Sequence, residues 1–442
     1  MLQDFVWSCL FWLYVAATLT QLLVWWRVFG KLASATLHPP PSTFHPLPST
    51  FHLPPVSIIL CARNEADNLR RYLPKILAQQ YPGEWEAIVV DDASEDETPA
   101  VLQFFLKKNA RLRVVRISEK RHAGKKHALA QGVAAAKHNH LLLTDADCEP
   151  VSPHWLLQMT RVLVERPETE IVLGYGPMKR IDLLRWRDLS EGDCHFFDWK
   201  GKFCNRNRVY SAKNLTKPVG KKAFPSPKAS TATSLIESGW LNTWSRFETA
   251  HTAMQYLSFA LAGMPYMGVG RNLAFKRAAY ERVGGFEAHW DVPSGDDDLL
   301  VNAAATSRNT AICLHPDAFV FSESKKTWRE WVRQKQRHLG AGKRYRWRHQ
   351  AVLASVSLSH VLHYLMFVAL LAAGFGMVSV VFLFCLRSAS LLFLYWKILP
   401  KLRESSLLSL IPSCDALLAA YYGAFVPFFL IKPQSSRSTW KQ

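Results

Sequence analysis

Two acidic groupings and one basic one carry the chemistry open to this 442-residue chain. Asp145-Ala146-Asp147 follows the apolar run Leu141-Leu142-Leu143 and presents two carboxylates on alternate positions, able to hold a divalent cation against a diphosphate. Such oxygen ligands suit Mg2+ or Mn2+. An isolated Asp-x-Asp is more often a turn, because Asp favours turns. This one has company. Gly124-Lys125-Lys126 lies twenty residues earlier and can bring cations to a phosphate. Ser294-Gly295-Asp296-Asp297-Asp298 sets three consecutive carboxylates before Leu299-Leu300, and their mutual repulsion is costly unless a cation, a substrate or solvent absorbs the charge. One of them can serve as a general base. The bland alternative for Asp297 is a helix N-terminus stabilised by the macrodipole. No Gly-x-Gly-x-x-Gly follows the first strand and no P-loop pattern occurs, so phosphates must be held by other groups.

The elements that must position these groups read as βαβ units. Val56 to Cys61 and Ala87 to Val90 are β-branched runs of fully buried type, separated by a helical stretch from Ala66 to Gln79. Arg113 to Ile117 and His140 to Leu143 keep the same rhythm, which implies an α/β domain with a parallel sheet. Asp91-Asp92 and Asp145-Ala146-Asp147 then fall at the C-terminal ends of strands, where open α/β sheets bind ligands.

Composition places this domain beside a membrane. Phe5 to Trp26 holds no charged residue over 22 positions, enough at about 1.5 Å per residue to span about 30 Å of hydrocarbon. Arg27 and Lys31 follow, so residues 1–30 are expected to be a retained anchor with its C-terminal end in the cytoplasm. Residues 31–55 form a linker, and seven of the seventeen residues from Pro39 to Pro55 are proline, which reads as a stiff spacer. Residues 351–431 turn apolar again and predict two or three spans, drawn near 352–373, 375–396 and 410–431, with Gly374 and Gly376 at the first break. Arg387 inside the second is hard to reconcile with lipid. A short tail, 432–442, completes the chain.

The chain carries 54 Lys+Arg against 35 Asp+Glu, a net charge of +19, which calls for an anionic partner. Ten of the basic residues fall between Lys325 and Arg348, interleaved with Trp328, Trp331, Tyr345 and Trp347, next to the first C-terminal span. Residues 325–350 therefore read as an amphipathic interfacial segment facing anionic lipid headgroups, and membrane lipids replace nucleic acid as the expected partner. The eight cysteines include no Cys-x-x-Cys pair, consistent with packing residues in a reducing compartment.

With these motifs in order, the chain resembles a membrane-bound family 2 glycosyltransferase, the inverting, nucleotide-sugar-dependent class that includes cellulose, chitin and hyaluronan synthases and ceramide glucosyltransferases. The resemblance rests on Val56 to Glu65, Val89-Val90-Asp91-Asp92-Ala93-Ser94, Gly124-Lys125, Asp145-Ala146-Asp147, Gly268 to Phe275, Gly284-Gly285-Phe286, Gly295 to Asp298 and Gln334-x-x-Arg337-His338. It implies a GT-A domain over residues 56–324, with a mixed, mainly parallel sheet, an insertion at 188–237, and transmembrane helices at both ends. Asn64, Glu65, Asp91, Asp92, Lys125 and Asp145 would line the site of a nucleotide sugar, a UDP-sugar in most relatives. Asp147, with Asp145, would hold Mg2+ or Mn2+. Gln334, Arg337, His338, Arg271 and Asn272 would cap acceptor or donor, and Asp297 would be the base, with Asp296 as its rival. Two departures stand out: the usual Glu-Asp pair is Asp296-Asp297 here, and the usual terminal Trp of the last motif is His338.

The resemblance implies transfer of one sugar to a membrane lipid or glycan, in an integral protein of the cell inner membrane with its catalytic domain in the cytoplasm. A processive polysaccharide synthase is the nearest alternative, but its channel calls for more helices than are in view. A catalytically inactive scaffold and an RNA-binding protein are the alternatives from other classes. Nothing in the sequence sets an oligomeric state.

Overall fold

The protein is described by a computed structural model over residues 1–36, 53–118, 124–181, 195–197, 203–205, 208–209, 229–292 and 294–430. Most of the proline-rich spacer, most of the expected insertion with its sequon Asn214-Leu215-Thr216, and the tail lie outside the described residues.

Seven strands form the central sheet. In chain order they are β1 (Val56–Ala62), β2 (Trp85–Asp92), β3 (Leu112–Ile117), β4 (His140–Asp145), β6 (Ile171–Gly174), β7 (Leu273–Lys276) and β8 (Thr310–Cys313). They lie side by side as β8-β6-β7-β4-β1-β2-β3. All pairings are parallel except those of β7, which runs antiparallel to both β4 and β6. The sheet is mixed and mostly parallel, as expected. A separate short pair, β5 (Cys148–Pro150) with β9 (Val320–Ser322), anchors the chain just beyond Asp147.

Every residue of β1 and β2 is buried, because helices cover both faces. Alternation decides which way each points. Ile58 and Leu60 pack in one layer with Leu69 and Leu73 of α2 (Ala66–Leu77), Leu102 of α3 (Thr98–Leu106), and Leu156 and Met159 of α5 (Trp155–Glu165). Ile59 and Cys61 pack in the other with Leu129 and Val133 of α4 (Lys126–Ala135) and Ala279 of α7 (Arg277–Arg282). This second layer continues without interruption into Trp25, Phe29, Leu391 and Leu394 of the apolar helices, so the soluble fold and the membrane portion share one core.

Four helical segments among the described residues are long and apolar enough to cross a membrane. The first runs through α1 (Leu2–Val24) and a π turn at Trp25–Phe29 to Ser34. The C-terminal three contain α10 (Trp347–Ala372), α11 (Met377–Ile398) and α12 (Ile411–Leu430). The α10–α11 turn uses Gly374 and Gly376, both at positive φ. The basic aromatic stretch is not one helix: α9 (Trp328–Gly342) ends at the Gly340 to Gly342 region, and α10 begins at Trp347, five residues before the expected start.

Arg387 is accommodated by polar partners inside the helix bundle. Its guanidinium pairs with Asp415 of α12, donates to Gln21 Oε1 of α1 at 2.8 and 3.0 Å, and lies 4.7 Å over the Trp25 ring. Tyr364 of α10 donates to the same Asp415 oxygen at 2.7 Å, so one cluster joins all four helices. A long helix, α6 (Ala229–Leu261), lies between this bundle and the sheet. Its Tyr256 hydroxyl donates to Gly174 O at 2.7 Å on the sheet side, while its Arg246 pairs with buried Glu404 between α11 and α12.

Breaking the buried pair from one side leaves an uncompensated charge. Asp415→Leu is expected to destabilise the detergent-solubilised protein by about 3–5 kcal/mol, read as a fall in melting temperature, while an exposed control such as Arg161→Ala changes it little.

Candidate active site

The first two strands end in loops that hydrogen-bond to each other. Asn64 turns the chain after β1 at φ +54°, and its side-chain oxygen accepts the Glu95 N–H at 2.8 Å. Its own N–H donates to Ser94 Oγ at 3.0 Å, and the Ser94 N–H donates to Asp91 at 3.1 Å. The Glu65 N–H donates to Thr98 Oγ1, while its carboxylate accepts from Asn68. Glu65, Asp91 and Asp92 are buried, so they shape the loops from within; Asn64 is exposed.

The next strand places Asp145 at the C-terminal end of β4, beside β1. Lys125, at the start of α4, donates to the Asp145 carboxylate and lies 3.7 Å from Asp296. Its side chain is only 12% exposed. Burial alone would push this ammonium down, but Asp145 and Asp296 outweigh it and hold the pKa well above the usual lysine range. Asp145 responds in kind. Burial would raise its pKa, yet Lys125, Arg271 and Arg337 hold it below the usual carboxylate value. One cation thus joins a loop near residue 145 to a loop near residue 296.

Asp147 faces the same place. Its carboxylate, that of Asp145 and the Cys148 sulfur offer ligand atoms within 4.8 Å of one another. The Cys148 thiol donates to Asp147 at 3.6 Å, and burial holds its pKa well above the usual thiol range, so it remains protonated. The donor set is therefore two carboxylates beside a thiol, which fits a hard cation completed by diphosphate and water oxygens.

The second acidic loop crosses from the other side. Asp297 caps α8 (Asp298–Ala304), accepting from the Asp298 N–H at 2.8 Å and from the Gly270 N–H at 2.6 Å. A Cβ on Gly270 would meet the Asp297 carboxylate at 3.3 Å, so only glycine permits this approach without a shift. Burial, then Asp296 and Asp298, push the Asp297 carboxyl up to about 8, and the two N–H donors offset this in part. Asp298 accepts from the Tyr345 hydroxyl at 2.8 Å and is raised, mainly by burial, to about 6. Lys126 is the clamp beneath the loop: its buried ammonium donates to His289 O at 2.7 Å and Val292 O at 2.8 Å.

Arg271 donates to Ser322 at 3.1 Å and runs over Gly176, where a Cβ would fall 2.3 Å from Nε. Asn272, expected beside it as a capping group, is not on the cleft surface. It is fully buried, and its amide is used by Trp155 Nε1 at 2.9 Å and by Tyr175 O and Ala318 O at 2.8 Å each. A saturated, buried amide is a structural clasp, so that expectation is corrected. Gln334, Arg337 and His338 share one face of α9 by their i, i+3, i+4 spacing, and Arg337 is close enough to act on Asp145. His338 is exposed on α9, with Lys335, Arg337, Arg271 and Lys325 nearby. Lys335 pairs with Glu248 of α6, which fixes the helix over the site.

Cys148 and Tyr345 join the site without a role expected from their sequence context, while Lys126 and Asp298, expected as a phosphate-side cation and a possible base, instead clamp the loop and bind Tyr345. Lys126 had a signal in its adjacency to Lys125. Tyr345 had none, since it stood among the interfacial aromatics.

Comparison with known proteins agrees with the fold. The model of Glycosyl transferase family 2 matches residues 57–219, and that of Glycosyl transferase family group 2 matches residues 230–402. A beta-monoglucosyldiacylglycerol synthase of Trichormus variabilis is 33% identical over 101 residues, 23% of this chain and 22% of that protein. A poly-beta-1,6-N-acetyl-D-glucosamine synthase of Staphylococcus epidermidis is 33% identical over 92 residues, 21% of each. The chain thus matches only about a fifth of the length of these curated relatives. Among solved structures, the mannosyltransferase PcManGT from Pyrobaculum calidifontis, in complex with GDP-Man and Mn2+, superposes with a TM-score of 0.53 at 19% identity, covering 95% of this chain and 99% of that one. With the mixed sheet, the apolar helices at both ends and two adjoining family matches, the chain is a membrane protein of the GT-A fold and belongs to glycosyltransferase family 2.

Proposed function

We propose that the protein is an inverting glycosyltransferase that moves a sugar from a nucleotide diphosphate donor to a lipid or glycan acceptor at the cytoplasmic face of the inner membrane. The observation that carries this reading is Lys125 lying between Asp145 and Asp296, which makes the phosphate side and the base side parts of one cleft. The nucleotide lies over the loops of Asn64, Glu65, Asp91 and Asp92. Asp147 and Asp145 would hold Mg2+ or Mn2+, which would supply charge neutralisation for the departing diphosphate. Lys125, Arg271 and Arg337 bring further positive charge to the same oxygens.

Asp297 takes the proton of the acceptor hydroxyl as that oxygen attacks the anomeric carbon from the face opposite the nucleotide. The bond from carbon to the phosphate oxygen breaks, the diphosphate leaves with the electron pair, and the configuration inverts without a covalent enzyme intermediate. A raised pKa suits this role, because burial beside two other carboxylates makes Asp297 a stronger base than a solvated aspartate. Asp296 is engaged by Lys125, which supports Asp297 over its rival. His338 closes the acceptor side from α9. The bundle interior is filled by Arg387 and its partners, which supports a single transfer over extrusion of a polymer.

Four measurements test the reading. Purified enzyme in detergent, offered a panel of labelled nucleotide sugars with host lipid extract, should transfer label in a Mn2+-dependent way, and Asp147→Ala and Asp297→Asn should each lower turnover at least about 100-fold. The kcat/KM of wild type should rise about tenfold per pH unit below about 8 and level off above it; a flat profile from pH 6 to 9 sinks the base assignment. The same shift sets a stability sign. Asp297 binds its proton more tightly folded than unfolded, so its contribution to stability falls as pH rises from about 4 to 8. Asp297→Asn should therefore melt above wild type at pH 7.5, with the gap closing towards pH 4. Lastly, His338→Trp should alter acceptor preference with donor affinity changed less than about threefold.

A further inference from the structure

The helix that presents Asp297 is only seven residues long, and its supports come from an unexpected quarter. Its Asp298 accepts the Tyr345 hydroxyl at 2.8 Å. Its Asn302 accepts the Arg346 N–H at 2.9 Å and is paired with His349 Nδ1 at 2.8 Å. The Arg346 guanidinium donates to Ala303 O at 2.6 Å. All four contacts arise from residues 345–349, where the connection after the interfacial helix α9 runs into the first turn of the membrane helix α10. Trp347, in the same turn, is 73% exposed, where it can meet the bilayer surface.

We infer that Tyr345 is a positioning residue for the base: its hydroxyl holds the Asp298 carboxylate, and through it the N-terminus of α8, in the place from which Asp297 can reach an acceptor hydroxyl. The inference rests on the assignment of Asp297 above and adds to it a mechanical link to the membrane. Ordering matters here because the acceptor arrives in the plane of the lipid. A base fixed to the entry turn of a membrane helix keeps its height above the bilayer constant, whatever the rest of the domain does.

The hydrogen bond also has an electrostatic side. The groups facing Asp298 are Asp296 and Asp297 from its own segment, Lys126 from α4, Tyr266, and Tyr345. The Tyr345 hydroxyl and Lys126 favour the ionised form, while burial and Asp296 oppose it. Without the hydroxyl, Asp298 keeps its proton to higher pH and presses less charge on Asp297, which then loses its own proton at lower pH.

Tyr345→Phe removes one oxygen and keeps the ring that packs against Tyr266 at 6.0 Å. The expected result is a kcat lowered about tenfold, the loss of one hydrogen bond to a charged group, with donor KM within about twofold of wild type. The acid limb of the pH profile should move to lower pH, which a merely structural role would not cause. In an Asp298→Asn background the same substitution should change kcat less than about twofold. An unmoved limb, or full additivity with Asp298→Asn, overturns the inference. Asp297→Asn, run alongside, separates the two claims: if it is inactive while Tyr345→Phe behaves as wild type, only the positioning role falls; if it retains full turnover, both fall.

Discussion

The ammonium of Lys125 is the constraint around which the cleft is built. Asp145 and Asp296 are 151 positions apart in the chain, on loops that would repel each other without a cation between them. Burial makes that cation expensive and the pairing correspondingly decisive, since removing either partner would leave a desolvated charge. The arrangement would suit the proposed diphosphate donor and its metal. Under the proposed function, a lysine already held at the junction of two acidic loops would turn to incoming phosphate oxygens, leaving Asp145 and Asp147 to hold the metal.

The second organising feature is continuity between soluble fold and bilayer. One face of the sheet, α6 and the apolar helices form one hydrophobic core, and α6 binds the sheet through Tyr256 and the bundle through Arg246. Glu248 on the same helix holds Lys335, and so holds α9 with Arg337 and His338 over the cleft. Under the proposed function the donor side would be set by strand ends and the acceptor side by α9 and the apolar helices. Each side inherits its precision from a rigid element, with loops contributing only the final side chains.

What was legible in the sequence was whatever follows from local period and chemistry. The buried runs of β1, β2 and β4 announced a parallel sheet, and their ends announced the acidic loops, because strand period and ligand position are linked by topology. The antiparallel strand β7 and the saturated amide of Asn272 were not legible, since both depend on partners from residues 140 to 318 that no local pattern reveals. Arg387 looked wrong for a span because its counter-ion sits 28 residues downstream on another helix. Tyr345 reads as one more interfacial aromatic, and only the fold turns its hydroxyl towards Asp298. The mixed role of the stretch around residue 345, part lipid-facing and part aimed at the site, has no sequence signature.

Arg387 also bears on how the protein is made. It lies at the middle of α11, where an isolated arginine costs about 2.5–3.5 kcal/mol to insert. Gln21 and Tyr364 lie on helices that precede α11 in the chain, so they can offer Arg387 oxygens before α12 packs against it. Those early partners can shelter the charge until the last helix arrives and closes the ion pair. A bundle lacking the first helix would thus leave the Arg387 guanidinium without both of its hydrogen bonds to Gln21.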